Sequence, residues 1–98
     1  MKMEFDHESL KQVCRACRVR RVILFGSEAR GLATPNSDID LLIDYDPQAR
    51  TTLWDHWDLE EELSRIFGGR KVDLVALDGL SVHTREDILK TGIPLYES

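Results

Sequence analysis

The chain has 98 residues, 42% of them hydrophobic and 32% charged, with a formal net charge of −5. A chain of this length makes one domain with a modest core, burying roughly 60 to 70% of the surface its unfolded form exposes. The acidic balance counts against sequence-independent binding to a nucleic-acid backbone; no apolar run nears the roughly 20 residues of a membrane span, and no signal-peptide pattern opens the chain, so the cytoplasm is the expected compartment.

In chain order, Asp6 is placed to cap a first helix running to about Cys17, with Phe5 as a hydrophobic staple. Leu10, Val13, Cys14 and Cys17 fall at i, i+3, i+4 and i+7, one buried helical stripe. The Cys14-x-x-Cys17 pair is therefore read as core thiols, since no second pair exists to complete a zinc site and redox pairs open helices. Arg15, Arg18, Arg20 and Arg21 read as a cluster flanking the helix end. Val22-Ile23-Leu24-Phe25 predicts a buried strand ended by Gly26-Ser27, and Gly31, Pro35 and Asn36 mark a helical turn and loop over Glu28 to Ser37. Asp38 to Ile43 predicts a second strand, with Asp44 and Asp46 as charges solvating the loop beyond it.

A long helix follows from a cap at Thr51 or Thr52 to Phe67, burying Leu59, Leu63, Ile66 and Phe67 and stopping at Gly68-Gly69. Trp54 and Trp57 near its start read either as a partner-binding patch or as a cover for one end of the core. His7, His56 and His83 lack ligand spacing, and His56 reads as surface or helix-flanking. Lys71 to Val75 predicts a third strand, Thr84 with Asp87 a capping box for a last helix ending near Gly92, and Ile93 to Tyr96 an edge segment. Residues 1–98 thus form a single domain of the α/β or α+β class.

Side chains alternate along a strand, so Asp38 and Asp40 share one face while Ile39, Leu41 and Ile43 enter the core. Neighbouring carboxylates repel unless a cation lies between them, and oxygen-only donors suit Mg²⁺ or Mn²⁺. Asp73, flanked by Val72 and Leu74, joins them if its strand lies alongside. Three such carboxylates suffice for two metal ions about 3.5 to 4 Å apart, as used in nucleotidyl displacement. Gly26-Ser27 permits close backbone approach to a phosphate, and Arg30 is placed either to meet a phosphate or to make a surface salt bridge. Arg65 and Lys71 approach this site only if the strands are arranged in this way. Three rival motifs fail: a calcium loop on Leu41-Leu42-Ile43, a phosphatase nucleophile on the loop preceding Asp38, and a P-loop on Leu32 and Ala33, where Lys and Ser or Thr are required.

Gly26-Ser27, Asp38-x-Asp40 and a third Asp in Lys71-Val72-Asp73-Leu74-Val75, with the wording GSEARG, SDIDLL and IPLY, resemble the minimal nucleotidyltransferase (MNT) family of the DNA polymerase β-like superfamily. The resemblance covers nearly the whole chain. It implies a nucleotidyltransferase fold, a small mixed sheet flanked by helices. It also implies Gly26 and Ser27 on the nucleotide triphosphate, beside which Arg30 and Ser37 are further nucleotide-binding candidates, and Asp38, Asp40 and Asp73 as catalytic ligands of two Mg²⁺ ions, with ATP as substrate. Its implied partner is an all-helical HEPN ribonuclease toxin, adenylylated on a tyrosine or neutralised by binding, with this chain as antitoxin. Transfer to an RNA 3′ end is disfavoured by the acidic charge, and a membrane partner is not expected.

Overall fold

The computed structural model describes residues 5–26, 31 and 38–97. It contains α1 (His7–Ala16), β1 (Val19–Phe25), β2 (Ile39–Tyr45), α2 (Leu53–Ile66), β3 (Val72–Ala76), α3 (Val82–Thr91) and β4 (Ile93–Glu97), with a 3₁₀ turn at Leu77–Gly79 before α3. The sheet order is β3-β2-β1-β4. β1 runs antiparallel to both β2 and β4, whereas β2 and β3 are parallel. A parallel pair needs a long crossover, and α2 supplies it.

Local chemistry sets the helix ends. Asp6 caps α1, accepting from the Glu8 amide at 3.1 Å and the Ser9 hydroxyl at 2.9 Å. Thr52 and Asp55 form a reciprocal capping box at the start of α2, with the Thr52 amide donating to Asp55 Oδ2 at 2.8 Å. At its other end the Gly69 amide donates to the Ser64 carbonyl and the Gly68 amide to the Arg65 carbonyl. Both glycines have positive φ, 75° and 83°, so this is a Schellman stop. The cap of α3 is Ser81, which accepts from the Thr84 amide, three residues before the predicted capping box.

Two cores sandwich the sheet. On one face Leu10 and Cys14 of α1 and Leu59 and Leu63 of α2, with Phe67 just beyond its end, pack on Val22, Leu24, Ile39, Leu41, Ile43, Val72 and Leu74. Phe5 meets Phe67 with ring centroids 5.0 Å apart, tying the chain before α1 to the end of α2. Cys14 is buried, and burial pushes its thiol pKa up to about 12, in keeping with a core thiol rather than a reactive one. On the other face Ile23, Leu42 and Ile88 of α3 make a smaller cluster.

Several expectations change here. β1 begins three residues before the predicted strand, so Arg21 belongs to the sheet rather than to the flank of a helix end. Asp44 is likewise a strand residue and not a loop charge. It lies opposite Arg21 in the β1–β2 ladder and accepts from Arg21 Nε at 2.9 Å, each neutralising the other in a half-buried setting. Asp46 does serve the turn, accepting from the Gln48 amide at 2.9 Å.

Gly92, the cap between α3 and β4, lies tight against β1, where an added Cβ would meet Ile23 Cγ2 at 2.5 Å, the Ile88 carbonyl oxygen at 2.7 Å and the Leu24 carbonyl oxygen at 3.1 Å. Neither strand nor helix backbone can yield cheaply. Gly92→Ala is expected to destabilise the domain by about 1–3 kcal/mol, read as a lower urea midpoint with an unchanged m-value.

Candidate active site

The parallel register of β2 and β3 sets Asp40 opposite Asp73, with Ile39 opposite Val72 and Leu41 opposite Leu74. The neighbours of each carboxylate are core residues: Ile39 and Leu41 are fully buried, and Val72 and Leu74 nearly so. Alternation then forces Asp40 and Asp73 onto the opposite face, the one that α3 covers only in part. The backbone therefore delivers two carboxylates side by side, as the sequence spacing required if these strands were adjacent.

On its other side Asp40 lies opposite Phe25 in the antiparallel ladder, immediately before Gly26. Gly26 has φ 75°, and a Cβ there would collide with Asp40 Oδ2. A glycine is thus needed twice over, for the left-handed turn and for the space. The carboxyl of Asp40 titrates above its ordinary range because burial disfavours the charged form, and Asp73 and then Asp38 add repulsion.

Asp38 precedes β2, is exposed, and lies 3.8 Å from Lys71 Nζ through its Oδ2. Lys71 thus stands at the site, as the expected strand order required, whereas Arg65 pairs with Glu62 at 3.0 Å within α2. Among the described residues no three His, Cys, Asp or Glu side chains gather tightly enough to enclose a metal ion. The donor set itself fits Mg²⁺: its oxygens are anionic, and the Asp40 pKa is raised by burial first and then by repulsion from Asp73 and Asp38, a cost to the charged form that a cation would offset. Ser27, Arg30 and Ser37, expected on the nucleotide, and the turn expected over Glu28 to Ser37 lie outside the described residues, Gly31 apart.

Two aromatic and imidazole positions depart from the sequence reading or decide between its alternatives. Trp54 and Trp57 do not close the core: they are 71% and 55% exposed and meet edge to face, 5.5 Å between centroids. His56 is half-buried rather than a surface group. Its Nδ1 lies 2.9 Å from the Tyr45 hydroxyl and its Nε2 3.3 Å from the Leu74 carbonyl oxygen, so one imidazole ties α2 to both β2 and β3. Burial, the largest cause, pushes the Tyr45 phenol up to about 12. The overlooked signal was spacing, for His56 is three residues before Leu59 and seven before Leu63, on the buried stripe, and the two tryptophans lie off it.

Residues 8–98 match the family described as Polymerase beta, Nucleotidyltransferase. A solved structure provisionally described as a minimal nucleotidyltransferase is 38% identical, with a TM-score of 0.76 over 90% of this chain and 87% of that one. A crystal structure of a toxin–antitoxin pair with AMP-PNP is similar at a TM-score of 0.73 and 23% identity, over 95% of this chain and 74% of that one. A Shewanella oneidensis complex of a tri-AMPylated HEPN toxin with its MNT antitoxin is similar at a TM-score of 0.64 and 20% identity, over 94% and 70%. These last two likenesses show the fold. A Methanocaldococcus jannaschii protein, provisionally described as a protein adenylyltransferase, is 40% identical over 58 residues, 59% of this chain; the match spans 57% of that relative's length.

The raised pKa of Asp40 has a thermodynamic consequence in metal-free buffer. Its folded value exceeds its unfolded one, so ionisation destabilises the fold; the penalty is complete above the folded pKa and vanishes below the unfolded pKa. Asp40→Asn is expected to melt above the wild type at neutral pH, with the difference closing as pH falls into the ordinary carboxylate range. Equal melting temperatures at neutral pH would show that no such penalty exists.

Proposed function

Because the chain belongs to the polymerase β nucleotidyltransferase family, in its minimal nucleotidyltransferase branch, we propose that it transfers AMP from ATP to a hydroxyl of a partner protein. The partner is a HEPN-type ribonuclease toxin, the acceptor one of its tyrosines, and this chain the antitoxin. The observation that carries the reading is the register of Asp40 against Asp73 beside a glycine that no other residue can replace without displacing the Asp40 carboxylate. The partly homologous Methanocaldococcus jannaschii protein supports the adenylyl chemistry, and the toxin–antitoxin structures support the partner.

In the reaction the acceptor oxygen attacks the α-phosphorus and forms the new P–O bond. The bond from that phosphorus to the bridging oxygen breaks, and pyrophosphate leaves with the electron pair. Asp73, exposed on an edge strand, is the carboxylate that an incoming hydroxyl reaches; it accepts the hydroxyl's hydrogen bond and takes its proton as the new P–O bond forms, passing it on to solvent. The turn at Gly26 keeps side-chain bulk away from the phosphates, with Ser27, Arg30 and Ser37 completing the nucleotide contacts. Asp38, Asp40 and Asp73 would hold one or two Mg²⁺ ions, which when bound supply charge neutralisation at the attacking and leaving oxygens. Lys71 releases Asp38 readily, since an ion pair this long and exposed is worth no more than about 1 kcal/mol.

Neutralisation by binding alone is the second reading, favoured by the exposed Trp54–Trp57 pair. Labelling separates the two. With Mg²⁺ and ATP labelled on the α-phosphate, in extract of the source cells, the wild type is expected to label one protein band. Asp40→Asn should abolish the label, and Gly26→Ala should reduce the rate about 100-fold by displacing the Asp40 carboxylate. A bound but unlabelled toxin would establish the binding reading, and label on RNA would move the acceptor to a nucleic acid.

A further inference from the structure

Around the edge of the sheet from the carboxylates, α2 and the start of β3 enclose a depression of about 530 Å³. Trp54 and Trp57 form one wall, Asp58, Glu60 and Glu61 line it, and Lys71 lies where it meets the site. Leu53, 69% exposed, precedes the tryptophans on the same helix. Asp55, Asp58, Glu60, Glu61 and Glu62 on α2 face a single basic residue, Arg65, which is already paired with Glu62. In the depression itself Asp58, Glu60 and Glu61 outnumber Lys71, which also pairs with Asp38, and indole rings next to a surplus of carboxylates make a site for a cation, through ring quadrupole and charge together. The same charges repel a phosphate backbone.

We propose that this depression receives an arginine- or lysine-bearing segment of the acceptor protein, holding the acceptor so that its hydroxyl enters over the edge at Asp73. The proposal rests on the protein-acceptor reading above. It adds a recognition element that the nucleotide does not touch. The cationic group lies between the tryptophans and Glu61, and the chain that carries it passes Lys71 on its way to Asp38 and Asp40. Specificity for the acceptor then resides in α2, the crossover helix, while the chemistry resides on the strands it connects. Charge complementarity of this kind governs the choice of partner and the rate of encounter more than raw affinity.

The chain has two tryptophans, both in this depression, so tryptophan emission, excited beyond the absorption of Tyr45 and Tyr96, reports on this site. The probe is the capped peptide acetyl-Gly-Arg-Gly-Arg-Gly-amide, titrated without ATP or metal. It is expected to change the emission saturably, whereas the same peptide with citrulline for arginine should bind about tenfold more weakly or worse. Asp58→Asn with Glu61→Gln, both at exposed positions and leaving the tryptophans in place, should weaken the arginine peptide about tenfold. Glu86→Gln with Asp87→Asn on α3, an equal change of net charge, should leave it unaltered. Equal binding of the citrulline peptide, equal weakening by the α3 pair, or preferential binding of a short single-stranded RNA would each overturn the proposal. Because the titration needs no turnover, a chain that binds the peptide but transfers no AMP would overturn the placement of an acceptor hydroxyl at Asp73 together with the enzyme reading, and leave the depression as a docking site for a cationic segment of a partner that is bound and not modified. A chain that labels a protein but ignores the peptide would do the reverse.

Discussion

The parallel pairing of β2 with β3 is the constraint on which the rest of the molecule turns. It alone sets Asp40 against Asp73, and a parallel pair cannot be closed by a tight turn. The chain must leave the sheet, cross it and return, and α2 with its two caps is that return path. Leu59 and Leu63 then anchor the crossover in the larger core. Two charges are held close together by apolar residues on the reverse side of the same strands, so the electrostatic cost of the site is borne by burial elsewhere.

His56 makes that arrangement stiffer than packing alone would. An imidazole bonded to Tyr45 on one strand and to the Leu74 carbonyl on the next fixes the rotation of α2 about its axis, and a buried polar network of this kind specifies one arrangement among several apolar ones. Rotation of α2 would break both contacts. It would also swing the tryptophans away from Lys71 and the start of β3.

Much of this was legible in the residues. Apolar runs marked all the strands, the alternation through Asp38, Ile39, Asp40 and Leu41 assigned faces, and the glycine pair after Phe67 marked the helix stop. The carboxylates could be paired from sequence only by supposing that the strands were adjacent; which strands neighbour one another is a long-range outcome that local periodicity does not contain. For the same reason Asp44 was misread. Its partner Arg21 lies 23 positions earlier, and without that pairing an acidic residue before Asp-Pro reads as loop. The cap of α3 was misplaced because Ser81 and Thr84 offer the same chemistry three residues apart, and contacts between their own hydroxyls, at 3.0 Å, join them in one turn.

Among the described residues β3 lies at the margin of the sheet, with one row of backbone donors and acceptors that no described strand takes up. Its core is Val-x-Leu-Val-Ala, a short apolar segment of the kind that recruits foreign strands. The residue that interrupts it is Asp73, and Lys71 stands just before. The carboxylate to which the proposed chemistry gives the acceptor's proton is also a gatekeeper against edge-to-edge association. A lineage that exchanged Asp73 for an apolar residue would gain an adhesive border, which sets a solubility pressure on this position independent of any turnover.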